Sequence, residues 1–254
     1  MANKKLTKSE KDMIRVADEI IASEEFQKNS MAVKLNWLRA AVLGANDGIV
    51  ATAGLVMGVA AANPANTGAI FIAGVAGVVA GSISMAGGEY TSVSAQRDSE
   101  LAALAKERVE LAEQPEKELR ELTWFYEQKG LSYATALVVA EELTKKDALK
   151  AHAEAELGID SESHPSPVHA AIASFIAFFV GSVLPLVAIT GPWIELRIQA
   201  TVAAVVISLA LTGFVGAKIG AARTIPAIIR NVVVSLATMG ITYLVGHLLG
   251  TSIA

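Results

Sequence analysis

Residues 68–113 read GAIFIAGVAGVVAGSISMAGGEYTSVSAQRDSELAALAKERVELAE, and this stretch decides the fold. Up to Glu89 it holds no other charged residue, and it is long enough for a bilayer, which takes about 20 residues of helix. Beyond Glu89 charges accumulate, yet no proline interrupts the chain before Pro115. The pattern predicts a single helix that leaves the apolar phase and continues into water. Four further apolar stretches surround it, at residues 38–62, 168–189, 199–217 and 228–253. The expected fold class is therefore an all-α membrane protein, with five transmembrane helices and a helical insert between spans 2 and 3. Pro185 should kink the third span unless neighbouring helices satisfy the carbonyl it frees.

Composition agrees with this reading. Of 254 residues, 53% are hydrophobic and only 18% charged, with a mean hydropathy of +0.47. Soluble domains carry about 25% charged residues. The chain has no cysteine, which excludes a disulfide-stapled module, a zinc ribbon and a thiol enzyme. A net charge of −4 gives no support for a nucleic-acid partner. That total conceals an asymmetry, because 16 acidic and 9 basic residues lie between Arg97 and Glu162.

Basic residues set the orientation. Lys34 and Arg39 precede span 1, Arg97, Lys106 and Arg108 follow span 2, and Lys218, Arg223 and Arg230 separate spans 4 and 5. The connections at 63–67 and 190–196 hold none. The positive-inside rule then puts the N-terminus and the insert in the cytoplasm. The first 35 residues are polar and do not read as a signal peptide. Residues 7–27 have Met13, Ala17, Ile20 and Ile21 at helical spacing, which fits an amphipathic helix on the membrane surface or a solvated helix capping the insert. The expected organisation is an N-terminal amphipathic segment (1–37), spans 1–2 (38–95), an acidic helical metal-binding domain (96–165) and spans 3–5 (166–254). Within the insert, helices are expected at 116–129, from Ser132 to about 145, and from Asp147 to Gly158, with Ser132 and Asp147 as caps. Trp124, Phe125 and Tyr126 are expected to anchor the insert's own core.

Two acids fall within the spans, Asp47 and Glu89, and intramembrane carboxylates face a polar interior or pathway. Asp47 shares a helical face with Ala51, Gly54 and Gly58, small residues that admit a neighbouring helix. Met85 stacks one turn before Glu89, and a thioether beside a carboxylate suits a borderline divalent transition metal better than Mg²⁺ or Ca²⁺. The Gly87–Gly88 pair permits close backbone approach or a distortion beside Glu89. At 100° per residue, Glu89, Gln96, Glu100 and Glu107 stay near one line, with Glu110 a turn further. Glu118 and Glu121 repeat that spacing on the next helix, and His152, Glu154 and Glu156 come on the last. Converging helices with paired glutamates build divalent-metal sites, although a charged face is also often only solvated. No Walker loop, G-x-S-x-G, H-E-x-x-H or dinucleotide fingerprint occurs, and no enzyme activity is expected.

Two long motifs carry a family resemblance. LRAAVLGANDGIV, from Leu38, resembles the opening motif of the vacuolar iron transporter family, and SMAGGEYTSVSAQRD, from Ser84, resembles the end of its second span. With the Glu-rich insert and three further spans, the likeness runs from about Leu38 to the C-terminus. It implies a homodimer in the lipid bilayer that moves Fe²⁺, and often Mn²⁺, out of the cytoplasm in exchange for protons, with no prosthetic group. Asp47 and Met85 would line the pathway. Glu107, Glu110, Glu118, Glu121 and Glu156 would bind metal in the insert, joined by Glu100 and His152. Plant members have a methionine pair where this chain has His152 and Ala153, so the thioether is replaced by an imidazole, and Zn²⁺ joins Fe²⁺ and Mn²⁺ as a candidate. The expected location is the bacterial plasma membrane, with the vacuolar membrane as the alternative. A non-transporting scaffold or metal sensor, whose insert recruits a partner, is the competing function.

Overall fold

The computed structural model describes residues 41–159 and 165–253. The amphipathic helix expected in the first 37 residues, and His164 in the linker, lie outside the described residues. Among the described residues seven α-helices occur in chain order: α1 (Ala41–Ala62), α2 (Thr67–Glu113), α3 (Pro115–Gln128), α4 (Tyr133–His152), α5 (Pro167–Thr190), α6 (Arg197–Ile219) and α7 (Thr224–Ile253). A π-helical turn, Ala153–Leu157, extends α4, and a short 3₁₀ turn, Ile194–Leu196, precedes α6. No strand occurs among the described residues. Five of the helices, α1, α2, α5, α6 and α7, are long and apolar enough to cross a membrane. This is an all-α multi-pass membrane protein.

The chain divides into two compact units. One comprises the described residues up to Ala86 and from Ile172 onward; the other is Gly87–Ala171. The 47-residue helix α2 contributes to both.

In the first unit, Ile49, Val56, Ile70, Ile189, Val205, Leu209 and Met239 form the core. Many large side chains point outward instead; Ile72 is 69% and Val180 62% exposed. An apolar exterior is what a bilayer solvates. Helices approach closely where side chains vanish. A Cβ added to Gly48 would strike the Phe178 carbonyl on α5, and one on Gly181 would strike the Ala45 carbonyl on α1. On the other side of α1, Gly246 of α7 lies directly against the Gly58 carbonyl, and Gly54 faces Thr242. In span 1, Gly44 and Gly48, four residues apart, thus meet α5, whereas Gly54 and Gly58, at the same spacing, meet α7. Pro185 does not interrupt α5.

Arg197, at the start of α6, is 4% exposed and has no carboxylate partner among the described residues. Its guanidinium donates to the Ile194 carbonyl (3.2 Å), the Pro64 carbonyl (3.3 Å) and the Thr67 hydroxyl (3.0 Å). These bonds tie the α1–α2 connection to α6 with neutral acceptors alone. At the opposite end of α6, Ala221 takes a left-handed conformation (φ 49°), and the Ala222 amide donates back to the Ala217 carbonyl (2.8 Å). That closes the turn into α7.

In the second unit, Leu122, Ala140 and Ala151 form a small core with Leu119, Tyr126, Leu143 and Ala155 packed against it. Trp124 departs from expectation. It is 51% exposed and meets Phe125 edge-on at 5.0 Å, because α3 turns Leu122 and Tyr126 inward and Trp124 away. The Gly87–Gly88 pair also departs. Nothing among the described residues lies within 4 Å of a Cβ built at either position, and α2 passes through both without a break.

These contacts predict opposite effects at two glycines. Gly48→Ala should destabilise the protein by about 1–3 kcal/mol, the usual cost of overpacking. Gly87→Ala should be neutral or stabilising by up to about 1 kcal/mol through helix propensity. Thermal unfolding of the two variants in the same detergent measures both.

Candidate metal centre

Three local breaks in helical structure bring the insert's acids together. α2 ends at Glu113, and Pro115, which lacks the N–H that a first helical turn leaves unused, starts α3. Glu107 near the end of α2 and Glu118 near the start of α3 then lie across the corner. Ser132 caps α4, its hydroxyl accepting from the Thr135 amide at 3.4 Å. α4 breaks at Asp147 (φ −164°, ψ 97°), whose carboxylate accepts from the Lys150 amide at 3.0 Å and starts a new helical run. That run carries His152, widens into the π turn, and stops at Gly158, whose φ of 64° suits glycine. π turns mark functional sites more often than chance.

Glu107, Glu118 and His152 are 3%, 2% and 0% exposed, and one ligand atom from each lies within 4.8 Å of the other two. His152 Nδ1 is 2.9 Å from Glu107 Oε1, 4.0 Å from Glu118 Oε2 and 3.6 Å from Glu156 Oε2. Neither ring nitrogen makes a hydrogen bond, and Glu107 Oε1 and Glu156 Oε2 have no hydrogen-bond partner either. The 2.9 Å approach is therefore not a donor meeting its acceptor. Lone pairs converge on a common point instead. Ligands about 2.1 Å from a Zn²⁺-sized ion stand about 3.4 Å apart on a tetrahedron, so separations of this order are what an ion between them requires. Buried polar atoms are otherwise almost always satisfied.

Charge deepens the argument. Lys117 pairs with Glu118 at 3.2 Å and Glu121 at 3.8 Å, and Lys106 pairs with Glu110 at 3.1 Å. The hydrogen bonds and charges of these carboxylates raise both ammonium groups above their ordinary pKa. Glu107 pairs with no lysine among the described residues. Burial first, and then the charges of Glu156, Glu118, Glu110 and Glu121, push its pKa to about 7. A divalent cation supplies what the site lacks, since it neutralises the crowded carboxylates and takes up the idle lone pairs.

The remaining sequence candidates fall into several different surroundings. Glu110 and Glu121 are half-buried and held by lysines at the edge of the cluster, and Glu156 reaches its rim. Glu154 is exposed. Glu100 stands apart, accepting from the Gln96 amide at 2.8 Å on the same helix. Glu89 is half-buried on α2 in the same unit. In the other unit Met85 is half-buried, and Asp47 is exposed on a stripe of α1 with Leu43, Ala51 and Leu55. Gly54 and Gly58 turn away from Asp47 towards α7. Sequence reading missed Lys106 and Lys117. Their i,i+4 spacing to Glu110 and Glu121 was the available signal.

A five-span membrane protein with glutamates and a histidine converging in its insert is now defined. A model of the VIT family matches residues 38–247. The chain belongs to the VIT family. It is 44% identical over 215 residues to a vacuolar iron transporter of Acanthamoeba castellanii, covering 84% of this chain and 78% of the relative. It is 37% identical to vacuolar iron transporter homolog 5 of Oryza sativa subsp. japonica, over 84% of this chain and 80% of the relative. Vacuolar iron transporter homolog 3 of Arabidopsis thaliana is 35% identical, over 86% of each chain. The VIT family is a family of membrane transporters.

Metal binding should depend on pH with a fixed sign. Below about 7 Glu107 carries a proton that a cation must displace, so Mn²⁺ should bind more weakly at pH 6 than at pH 8 and release a proton. Calorimetric titration of the full chain at both pH values checks this, and Glu107→Gln should flatten the slope. Equal affinities for the wild type would remove Glu107 from the site. Without metal the raised pKa costs stability. The cost is absent below the ordinary value of 4.5, grows as pH rises and is complete above about 7.

Proposed function

We propose that this chain is a proton-coupled transporter that moves Fe²⁺ and Mn²⁺ out of the cytoplasm. The observation that carries the reading is the buried Glu107–Glu118–His152 cluster, with its unsatisfied lone pairs, in a chain whose relatives are named as iron transporters. The insert lies on the cytoplasmic side, where its acids capture the ion and raise its local concentration. Glu110, Glu121, Glu156 and Glu100 add carboxylates to that capture. Asp47, Met85 and Glu89 line the passage through the spans. Carboxylates that hold metal when ionised and release it when protonated couple the two gradients. With an imidazole and carboxylates as donors, Zn²⁺ is a third cargo of suitable chemistry.

The chain works as a homodimer. Asp47 sits exposed on a helix that crosses the bilayer, and a carboxylate facing lipid is costly. A second copy covering that stripe of α1 gives Asp47 a polar, shared interior. The names of the relatives favour the vacuolar membrane over the bacterial plasma membrane expected from the sequence.

Reconstituted into liposomes under an imposed pH gradient, the wild type should carry Fe²⁺, Mn²⁺ and Zn²⁺ at distinguishable rates. Asp47→Asn should lower Fe²⁺ flux by at least tenfold, the kinetic equivalent of about 1.4 kcal/mol. Undiminished flux in Asp47→Asn would overturn the pathway. Metal binding by the wild type without any flux would favour the sensor instead.

A further inference from the structure

The α6–α7 hairpin and α1 enclose a cavity of about 350 Å³ that the metal route does not use. Its volume is within the range of small-ligand pockets, about 300–1,000 Å³. Its polar lining consists of Asn46 of α1, Thr212 of α6, and Arg230 and Asn231 of α7. Gly216 leaves room, since the nearest atoms to a Cβ there are the Val42 methyls at 3.4 and 3.5 Å, whereas Gly213 lies against the Ile228 backbone of α7.

The Thr212 hydroxyl donates to Asn46 Oδ1 at 2.6 Å, which occupies that acceptor and leaves the Asn46 amide N–H groups available. Arg230 forms no ion pair or hydrogen bond among the described residues, so its five N–H groups are uncommitted. α7 begins at Thr224 with no acid in its first turn, adding the positive end of a helix dipole. Lys218 and Arg223 flank the turn, and residues 198–254 contain no aspartate or glutamate. Arg230 is the one charged side chain in the lining, Asp47 is not part of it, and Lys218 and Arg223 stand close by in the chain, a balance that favours an anion.

The walls say which anion. Leu211 and Val215, each one residue before a lining residue of α6, are 60% and 44% exposed. A soluble anion needs none of this apolar surface. A second copy of the hairpin would set positive charge against positive charge. We infer that this cavity binds the headgroup of an anionic phospholipid, its phosphate taken by Arg230 with Asn46 and Asn231, and an acyl chain lying along the exposed apolar side chains of α6, Leu211 and Val215. An Arg–phosphate pair with two parallel N–H···O bonds is a strong, charge-assisted contact.

Native mass spectrometry of the full chain in detergent, titrated with phosphatidylglycerol or phosphatidylcholine, tests this. The wild type should retain phosphatidylglycerol in preference. Arg230→Gln should weaken that retention by about tenfold, the loss of one charge-assisted contact. Arg230→Lys should keep the preference for phosphatidylglycerol, which separates loss of charge from loss of fold. Gly216→Leu, filling the cavity, should reduce retention without changing any charge, and Lys145→Gln in the insert should leave it intact. Equal retention of the two lipids by the wild type would overturn the site, as would unchanged phosphatidylglycerol binding in Arg230→Gln. Displacement of the lipid by equimolar glycerol phosphate would show a soluble-anion site and overturn the lipid assignment.

Discussion

Hydrocarbon offers no partner for a backbone N–H or C=O, so a chain that crosses it must satisfy those groups within each helix. Everything else in this protein is arranged under that constraint. Side chains, not backbone, carry every departure from apolarity in the spans. Ser182 on α5 returns its hydroxyl to carbonyls of Phe178 and Gly48, Thr201 and Ser208 on α6 bond the preceding turn, and Arg197 spends its guanidinium on two carbonyls and a hydroxyl. Outside the spans water lifts the constraint, and among the described residues it is there that the chain uses an extended residue inside a helix, a π turn and a left-handed glycine.

Much of this was legible in the sequence because it follows from local rules. Hydropathy located the five helices, and the absence of a proline before Pro115 anticipated the unbroken length of α2. Ser132 and Asp147 were readable as caps, since short polar side chains compete for backbone amides at helix starts. The glycine spacing in α1 signalled close contact but not with whom. Periodicity fixes a face, whereas the identity of the neighbour depends on how helices far apart in the chain are arranged.

The candidate site was legible in part for the same reason. Spacing put Glu107 and Glu118 on useful faces of two helices, yet it could not tell a solvated row of acids from a buried one. Leu122, Ala140 and Ala151 draw α3 and the α4 segment together, which brings Glu118 to His152 and leaves Glu154 outside. The lysine pairs at Glu110 and Glu121 then separate the edge of the cluster from its centre. Trp124 shows the opposite failure. Aromatic character suggested a core position, but the face defined by Leu122 and Tyr126 leaves it outside.

The break at Asp147 and the left-handed Gly158 bracket a segment whose winding changes part-way, from α to π. Each residue added or lost there turns the next side chains by about 100° around the helix axis. The identity of most residues between the two brackets is therefore less constrained than their number. His152 and Glu156 meet Glu107 only if the count from Asp147 is kept, so the centre is specified by arithmetic along the chain as much as by ligand chemistry. A single insertion after Asp147 would turn His152 away from Glu107, and Ala151 out of the core with it, although every ligand residue stayed in the chain.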